Sequence, residues 1–208
     1  MKISFSPLGQ LGANFYLVSD EVTGETMAID PGAEADVAIE LTKQSGGTLK
    51  YIVLTHAHID HIGALDAMKN EFSVPVVIGK EEAISLNDNS MNLCCAFGAK
   101  SPSTHADILV SDGDTLMLGH NRVEFIHTPG HTKGGICILC NNMLISGDTI
   151  FRMSVGRTDF PGGSFAQLQS SIKNKIYTLQ PDTVIYPGHG ESTTVEYEMK
   201  HNPYVRGI

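Results

Sequence analysis

No apolar stretch in this 208-residue chain approaches the roughly 18 residues that a membrane-spanning helix needs, which excludes an integral membrane protein of the helical kind. The first residues, Met1 to Gln10, contain no charged segment followed by an apolar core and a small-residue cleavage site. A secretory leader is therefore not expected, and the expected compartment is the cytoplasm. Lys and Arg never form a run, and the net charge is −9, so a basic nucleic-acid-binding face is disfavoured. Cysteine is sparse: Cys94, Cys95, Cys137 and Cys140 make no disulfide framework, which fits a reducing compartment. Cys137 and Cys140 have the spacing of a redox or zinc pair. They lie inside an apolar run that reads as a strand, with no second pair nearby, so both are expected to pack as small apolar groups, as are Cys94 and Cys95. There is no internal repeat and no low-complexity stretch. The length and the 41% hydrophobic content suit a single domain over residues 1–208, built on one core.

What is present is a succession of short apolar runs bounded by Gly, Pro and Asp. Strands are expected at 2–6, 13–19 and 26–30, then at 51–54 and 76–78, and later at 108–110, 115–118, 122–127, 135–140, 143–146 and 183–186. Helical periodicity marks 34–44, 63–70, 80–86, 165–179 and 194–200. Residues 87–105 are polar and aperiodic and are expected to form a helix-containing excursion over the molecule, with the character of a lid. Strands and a helix, repeated, predict two sheets packed face to face with helices outside, an αββα sandwich of the α+β class.

Five of the nine histidines fall in short motifs at predicted strand ends. These are Thr55-His56-Ala57-His58-Ile59-Asp60-His61, Thr128-Pro129-Gly130-His131-Thr132 and Pro187-Gly188-His189-Gly190, joined by Gly147-Asp148-Thr149. His56 and His58, two apart in extended chain, point to the same side, while Asp60 and His61 fall where the chain turns into a helix. One segment can thus serve two cations. Imidazole and carboxylate suit zinc foremost, and also iron and manganese. A carboxylate can bridge two cations, and paired cations generate a nucleophilic hydroxide at neutral pH.

This motif set resembles the metallo-β-lactamase superfamily and, within it, the short single-domain bacterial glyoxalase II-like (hydroxyacylglutathione hydrolase) branch. The resemblance runs from Asn14 to Arg206. It implies that His56, His58 and His131 bind one metal, that Asp60, His61 and His189 bind a second, and that Asp148 bridges them. Asp60 and Asp148 thereby become part of the catalytic centre. It implies that Asp30, in Ile29-Asp30-Pro31-Gly32, supports the metal loop; a plain turn residue is the other reading. Asp148 argues against true β-lactamases, which usually carry cysteine there. The implied reaction is hydrolysis of a small thioester such as S-lactoylglutathione by a metal-bridging hydroxide, in a monomer or small homo-oligomer. Arg157 would clamp a carboxylate of the substrate's carrier. Tyr204 and Arg206 would partly replace the basic C-terminal domain that full-length relatives add, since only 19 residues follow His189; a packed C-terminal tail is the other, favoured reading. A second resemblance, through Gly156-Arg157-Thr158-Asp159-Phe160, is to mononuclear-iron persulfide dioxygenases, with His56, His131 and Asp148 as the iron ligands.

Overall fold

The computed structural model describes residues 1–207. Its strands form two six-stranded sheets and a small hairpin. The first sheet runs β1 (Lys2–Leu8), β2 (Ala13–Ser19), β3 (Glu25–Ile29), β4 (Thr48–Leu54), β5 (Val76–Gly79) and β6 (Ile108–Val110), in that spatial order. The second contains β7 (Thr115–Leu118), β8 (Asn121–His127), β9 (Ile136–Cys140), β10 (Met143–Gly147), β13 (Val184–Pro187) and β14 (Thr193–Thr194). The hairpin is β11 (Ile150–Phe151) with β12 (Ser154–Val155). Helices α1 (Ala35–Gln44) and α3 (Leu65–Phe72) belong to the first half, together with a single turn, α2 (Ile59–Ile62). Helices α4 (Phe165–Ser171) and α5 (Val195–His201) belong to the second. This is an αββα sandwich, as the alternation of elements predicts.

The layers follow from side-chain alternation. Tyr16, Val18, Met27, Ile29, Val53 and Val77 point inward from the first sheet, against Phe125, Ile136, Ile138, Cys140 and Ile145 of the second. Their neighbours Phe15, Leu17, Ala28, Ile52, Leu54 and Ile78 point outward into a second cluster with Leu65 and Met68 of α3 and Ala38 of α1. On the far side Cys137, Leu144 and Ile185 pack with Leu168 and Ile172. Because both faces of each sheet are covered, the central strands read as unbroken apolar runs. Each fully buried Leu, Ile or Phe is worth about 1.5–3 kcal/mol. Cys137 and Cys140 are three apart on a strand, so they lie on opposite faces of the sheet and cannot share a ligand or a disulfide; all four cysteines are free thiols.

Four expectations need correction. Cys95 does not pack as a small apolar group but is exposed. Residues 80–86 are not an α-helix but a turn leading into a 3₁₀ turn at Ser85–Asn87. The 87–105 excursion holds a 3₁₀ turn, Cys94–Phe97, in place of an α-helix, and hydrogen bonds pin it: Asn92 Nδ2 donates to Leu86 O and Ser101 Oγ, and Asp66 accepts from Ser103 and Thr104. The helix after Ser164 is α-helical only to Ser171 and continues as a π-helical turn over Ile172–Ile176. No described helix is long and apolar enough to cross a membrane.

Topology places the site. Strands β3 and β4 are parallel, with Ile29 level with Val53, so Asp30 and Thr55 emerge side by side. Strands β10 and β13 are also parallel, with Gly147 level with Pro187, so Asp148 and His189 emerge together. The two sheets meet along this edge through Ile136 N–H to Thr55 O at 2.9 Å and a bridge between Ala13 and His189.

Candidate metal centre

The ligand candidates of all four motifs converge on one edge of the sandwich. His56 and His58 leave the end of β4 in extended chain, and Asp60 and His61 lie on α2. His131 follows β8 by a Pro129-Gly130 turn, Asp148 follows β10, and His189 follows β13. Donor atoms of His56, His58 and His131 lie within 4.8 Å of one another, and so do those of Asp60, His61 and His189. Asp148 stands between the two groups: Oδ1 is 3.4 Å from His61 Nε2, while Oδ2 is 3.5 Å from His131 Nε2 and 3.8 Å from His189 Nε2. Asp60 Oδ2 is 3.2 Å from His189 Nε2. Glycine is required at Gly188, where a Cβ would strike the Asp148 carboxylate and the His61 ring. It is required again at Gly147, whose φ of 48° lets the chain turn against Thr55.

On His56, His61 and His131 the protein fixes the outer ring nitrogen, Nδ1. His61 Nδ1–H donates to Asp30 Oδ2 at 2.9 Å. His131 Nδ1–H donates to the Arg157 carbonyl at 2.7 Å. Thr55 Oγ1–H donates to Asp30 Oδ2 at 2.6 Å, so Thr55 Oγ1 must in turn accept from His56 Nδ1–H at 3.1 Å. Asp30 therefore orients one histidine of each group, while its Oδ1 accepts Thr55 N–H at 2.7 Å. Such outer partners set the tautomer and aim the Nε2 lone pair inward. His56 Nε2, His58 Nε2, His61 Nε2 and Asp148 Oδ1 are buried with no hydrogen-bond partner. Nitrogens His58 Nδ1 and His131 Nε2 face each other at 2.9 Å, a spacing that needs a proton or a cation between their lone pairs. Buried polar atoms without partners are costly, and so many in one place fit a cation-binding site.

The electrostatics divide the two groups. Burial, reinforced by the surrounding histidines, pushes His56 well below its ordinary value and His58 down to about 3, so both offer free lone pairs at neutral pH. Burial would also lower His61, but Asp148 and Asp30 outweigh it and hold it well above. His189 is raised too, burial being overcome by the Asp60 hydrogen bond and by Asp148. Burial would raise Asp148, yet His61, His131 and His189 hold it far below the usual carboxylate range. Asp60 is lowered as well, burial being outweighed by the His189 hydrogen bond and by His61.

A cavity of about 440 Å³ opens over the centre, with Asp60, Asp148, His58, His131 and His189 on its floor and Arg157 on its wall. Arg157 is already engaged: Nε and Nη2 donate to the two oxygens of Asp159 at 2.9 and 2.7 Å, and the guanidinium carbon lies 4.2 Å from the Phe160 ring centre. Tyr204 and Arg206 do not line the cavity; the tail they belong to is anchored by buried Val205 and by Tyr177 OH donating to Val205 O.

Three positioning residues were not singled out from the sequence. Glu82, buried, accepts Ala57 N–H on Oε1 at 3.0 Å and Gly134 N–H on Oε2 at 2.9 Å, tying the His56–His58 segment to the segment after His131. Asn14 and Tyr16 both donate to Pro187 O, at 3.0 and 2.6 Å, and fix the approach to His189. A lone amide within the apolar run 13–19 was the available signal for Asn14.

A model of the family described as the metallo-beta-lactamase superfamily matches residues 8–189. Over 212 residues the chain is 36% identical to the probable metallo-hydrolase YqgX of Bacillus subtilis, covering 100% of this chain and 99% of that one. It is 33% identical over 211 residues to the hydroxyacylglutathione hydrolase GloC of Haemophilus influenzae, covering 99% and 98% of the two chains. Among solved structures, the B3 metallo-beta-lactamase BLEG-1 superimposes with a TM-score of 0.93 at 36% identity, over 98% of this chain and 99% of that one. TTHA1623 in a di-iron-bound form gives a TM-score of 0.86 at 30% identity, over 97% and 100%.

Proposed function

The chain belongs to the metallo-β-lactamase superfamily, and on that footing we propose that it is a dinuclear metallohydrolase of small thioesters, of the glyoxalase II-like kind. The observation that supports this reading is the pair of donor groups, His56–His58–His131 and Asp60–His61–His189, with Asp148 between them. Each group would hold one divalent cation, and Asp148, lying between the groups, would be available to either. Zinc suits the donors foremost, with iron or manganese as alternatives. When bound, the cations supply carbonyl polarisation and a nucleophilic water at neutral pH.

The side chains provide the rest. Asp30, Thr55 and the Arg157 carbonyl hold the Nδ1 side of His61, His56 and His131 and so turn their Nε2 atoms inward. Asp60 and Asp148, depressed as they are, stay ionised at neutral pH; their part is charge and position rather than proton storage. Hydrolysis forms a C–O bond from water to the acyl carbon and breaks the C–S bond. The sulfur takes one proton of the water, and the new carboxylic acid releases the other. In this reading residues 1–208 act as one domain in the cytoplasm, where the four thiols stay reduced. The second complete group favours this reading over a mononuclear-iron persulfide dioxygenase. The likeness to a B3 metallo-β-lactamase places a β-lactam in the assay panel, since Asp148 alone does not exclude that substrate.

The test is elemental analysis of purified protein, followed by assays of the same sample for S-lactoylglutathione cleavage, β-lactam cleavage and persulfide-dependent oxygen uptake. The expected result is close to two metals per chain with thioester cleavage. A single tightly held iron with oxygen uptake overturns the proposal. Asp148→Asn should lose bound metal and lower turnover by at least about 100-fold, the upper end of what losing a ligand's own hydrogen-bond partner costs.

A further inference from the structure

We propose that the cleft selects thioesters whose arms are apolar and uncharged, rather than esters of a carrier bearing free carboxylates. The inference rests on the hydrolase reading and adds the character of the substrate. The 440 Å³ cavity over the donor cluster is joined by a second of about 320 Å³, which runs between the β1–β2 turn and the loop after β3. Leu11, Ile59, Asp60 and Phe97 line both, so the two spaces form branches meeting beside Asp60. Beyond the donors the walls of the first branch are Phe151, Val155 and Phe160, with Leu93. Leu11 and Phe97 stand at the junction 49% and 56% exposed, apolar surface that a bound apolar group would remove from water.

The charge pattern points the same way. Glutathione presents two carboxylates, and a site that selects it needs cations to meet them. Among the described residues lining the two branches, Arg157 is the one Lys or Arg. Its fork is filled by both oxygens of Asp159 and its face is stacked on Phe160. A substrate carboxylate would have to displace one tethered only two residues away, at an effective concentration in about the millimolar range. The exchange replaces one charge-assisted pair by another and yields little net affinity. Arg157 is then part of the wall, its guanidinium lying over Phe160, and the carrier-clamping role expected from the sequence is not built.

The test uses metal-loaded protein and two matched series: acetyl to octanoyl esters of N-acetylcysteamine, a neutral thiol, and the same acyl groups on glutathione. With the inference correct, kcat/KM rises about three- to fourfold per added methylene while the chain is being buried, and the neutral esters are used at least as well as the glutathione esters. Phe97→Ala and Leu11→Ser flatten that slope. Arg157→Ala changes both series by the same factor. Calorimetry with non-hydrolysable alkyl thioethers supplies a second readout: binding tightens with chain length and carries a negative heat-capacity change. A flat length dependence with glutathione esters preferred tenfold or more, or a loss in Arg157→Ala confined to those esters, overturns the inference and leaves the hydrolase reading standing. Thioether binding that tightens with length, with no thioester turned over, upholds the apolar cleft and overturns the hydrolase reading instead.

Discussion

Asp30 illustrates how much one side chain can organise. It sits in left-handed backbone, φ 53°, a conformation that Asp tolerates better than most residues. From there its carboxylate takes Thr55 N–H, Thr55 Oγ1–H and His61 Nδ1–H, and through Thr55 it reaches His56. Both donor groups thus depend on one carboxylate whose two oxygens already accept three hydrogen bonds. Asp30→Asn keeps one acceptor oxygen, but the amide nitrogen has no lone pair for Thr55 or His61. Metal affinity should fall by about 10–100-fold, measured by competition with a chromophoric chelator. Unchanged affinity would make Asp30 a plain turn residue. The Asp-Pro-Gly sequence announced a turn without saying which. Its partners lie 25 and 31 positions away, a distance local pattern does not reach.

At the scale of elements, the strands were legible because covered sheets need unbroken apolar runs, and the ligands because they cluster just beyond strand ends. The segment at 80–86 departs from the expected helix for a physical reason: its charged and apolar residues have helical spacing, yet Glu82 is buried, 1% exposed, rather than solvated. It is spent on amides at Ala57 and Gly134, 25 and 52 residues away, and that tertiary use overrides the helical preference. The pairs β11–β12 and β14 escaped notice because two-residue strands carry no periodicity. Glu82→Gln turns an NH₂ toward one of the two N–H donors and leaves it without an acceptor. The cost should be about 1–3 kcal/mol, or a fall in Tm of roughly 2–12 °C at this chain length. Scanning calorimetry would read it, and a Tm within a degree of the parent would remove the clamp role.

The whole molecule is held together at its opposite edge by Asp20. Its carboxylate accepts the backbone N–H of His120, those of Thr23 and Val22, and the Asn121 amide, linking the β2–β3 turn to the β7–β8 turn of the other sheet. The His120 and Thr23 amides chiefly hold it far below the usual carboxylate range. A depressed carboxylate contributes its full stability above its unfolded value, near about pH 4, and loses it as pH falls from there toward the folded value. Asp20→Asn should therefore be less stable than the parent at neutral pH, and the gap should close as pH drops below about 4. Urea titrations at stepped pH would show it; a gap independent of pH would mean the charge contributes nothing.

The donor groups also divide between the two halves of the chain. His56, His58, Asp60 and His61 come from the first sheet's side, while His131, Asp148 and His189 come from the second. Neither half owns a complete set, so a cation can be fully gripped only after the sheets have docked. Bound metal then acts late in folding: it should leave the refolding rate nearly unchanged and slow unfolding, giving its benefit as kinetic persistence of the native state.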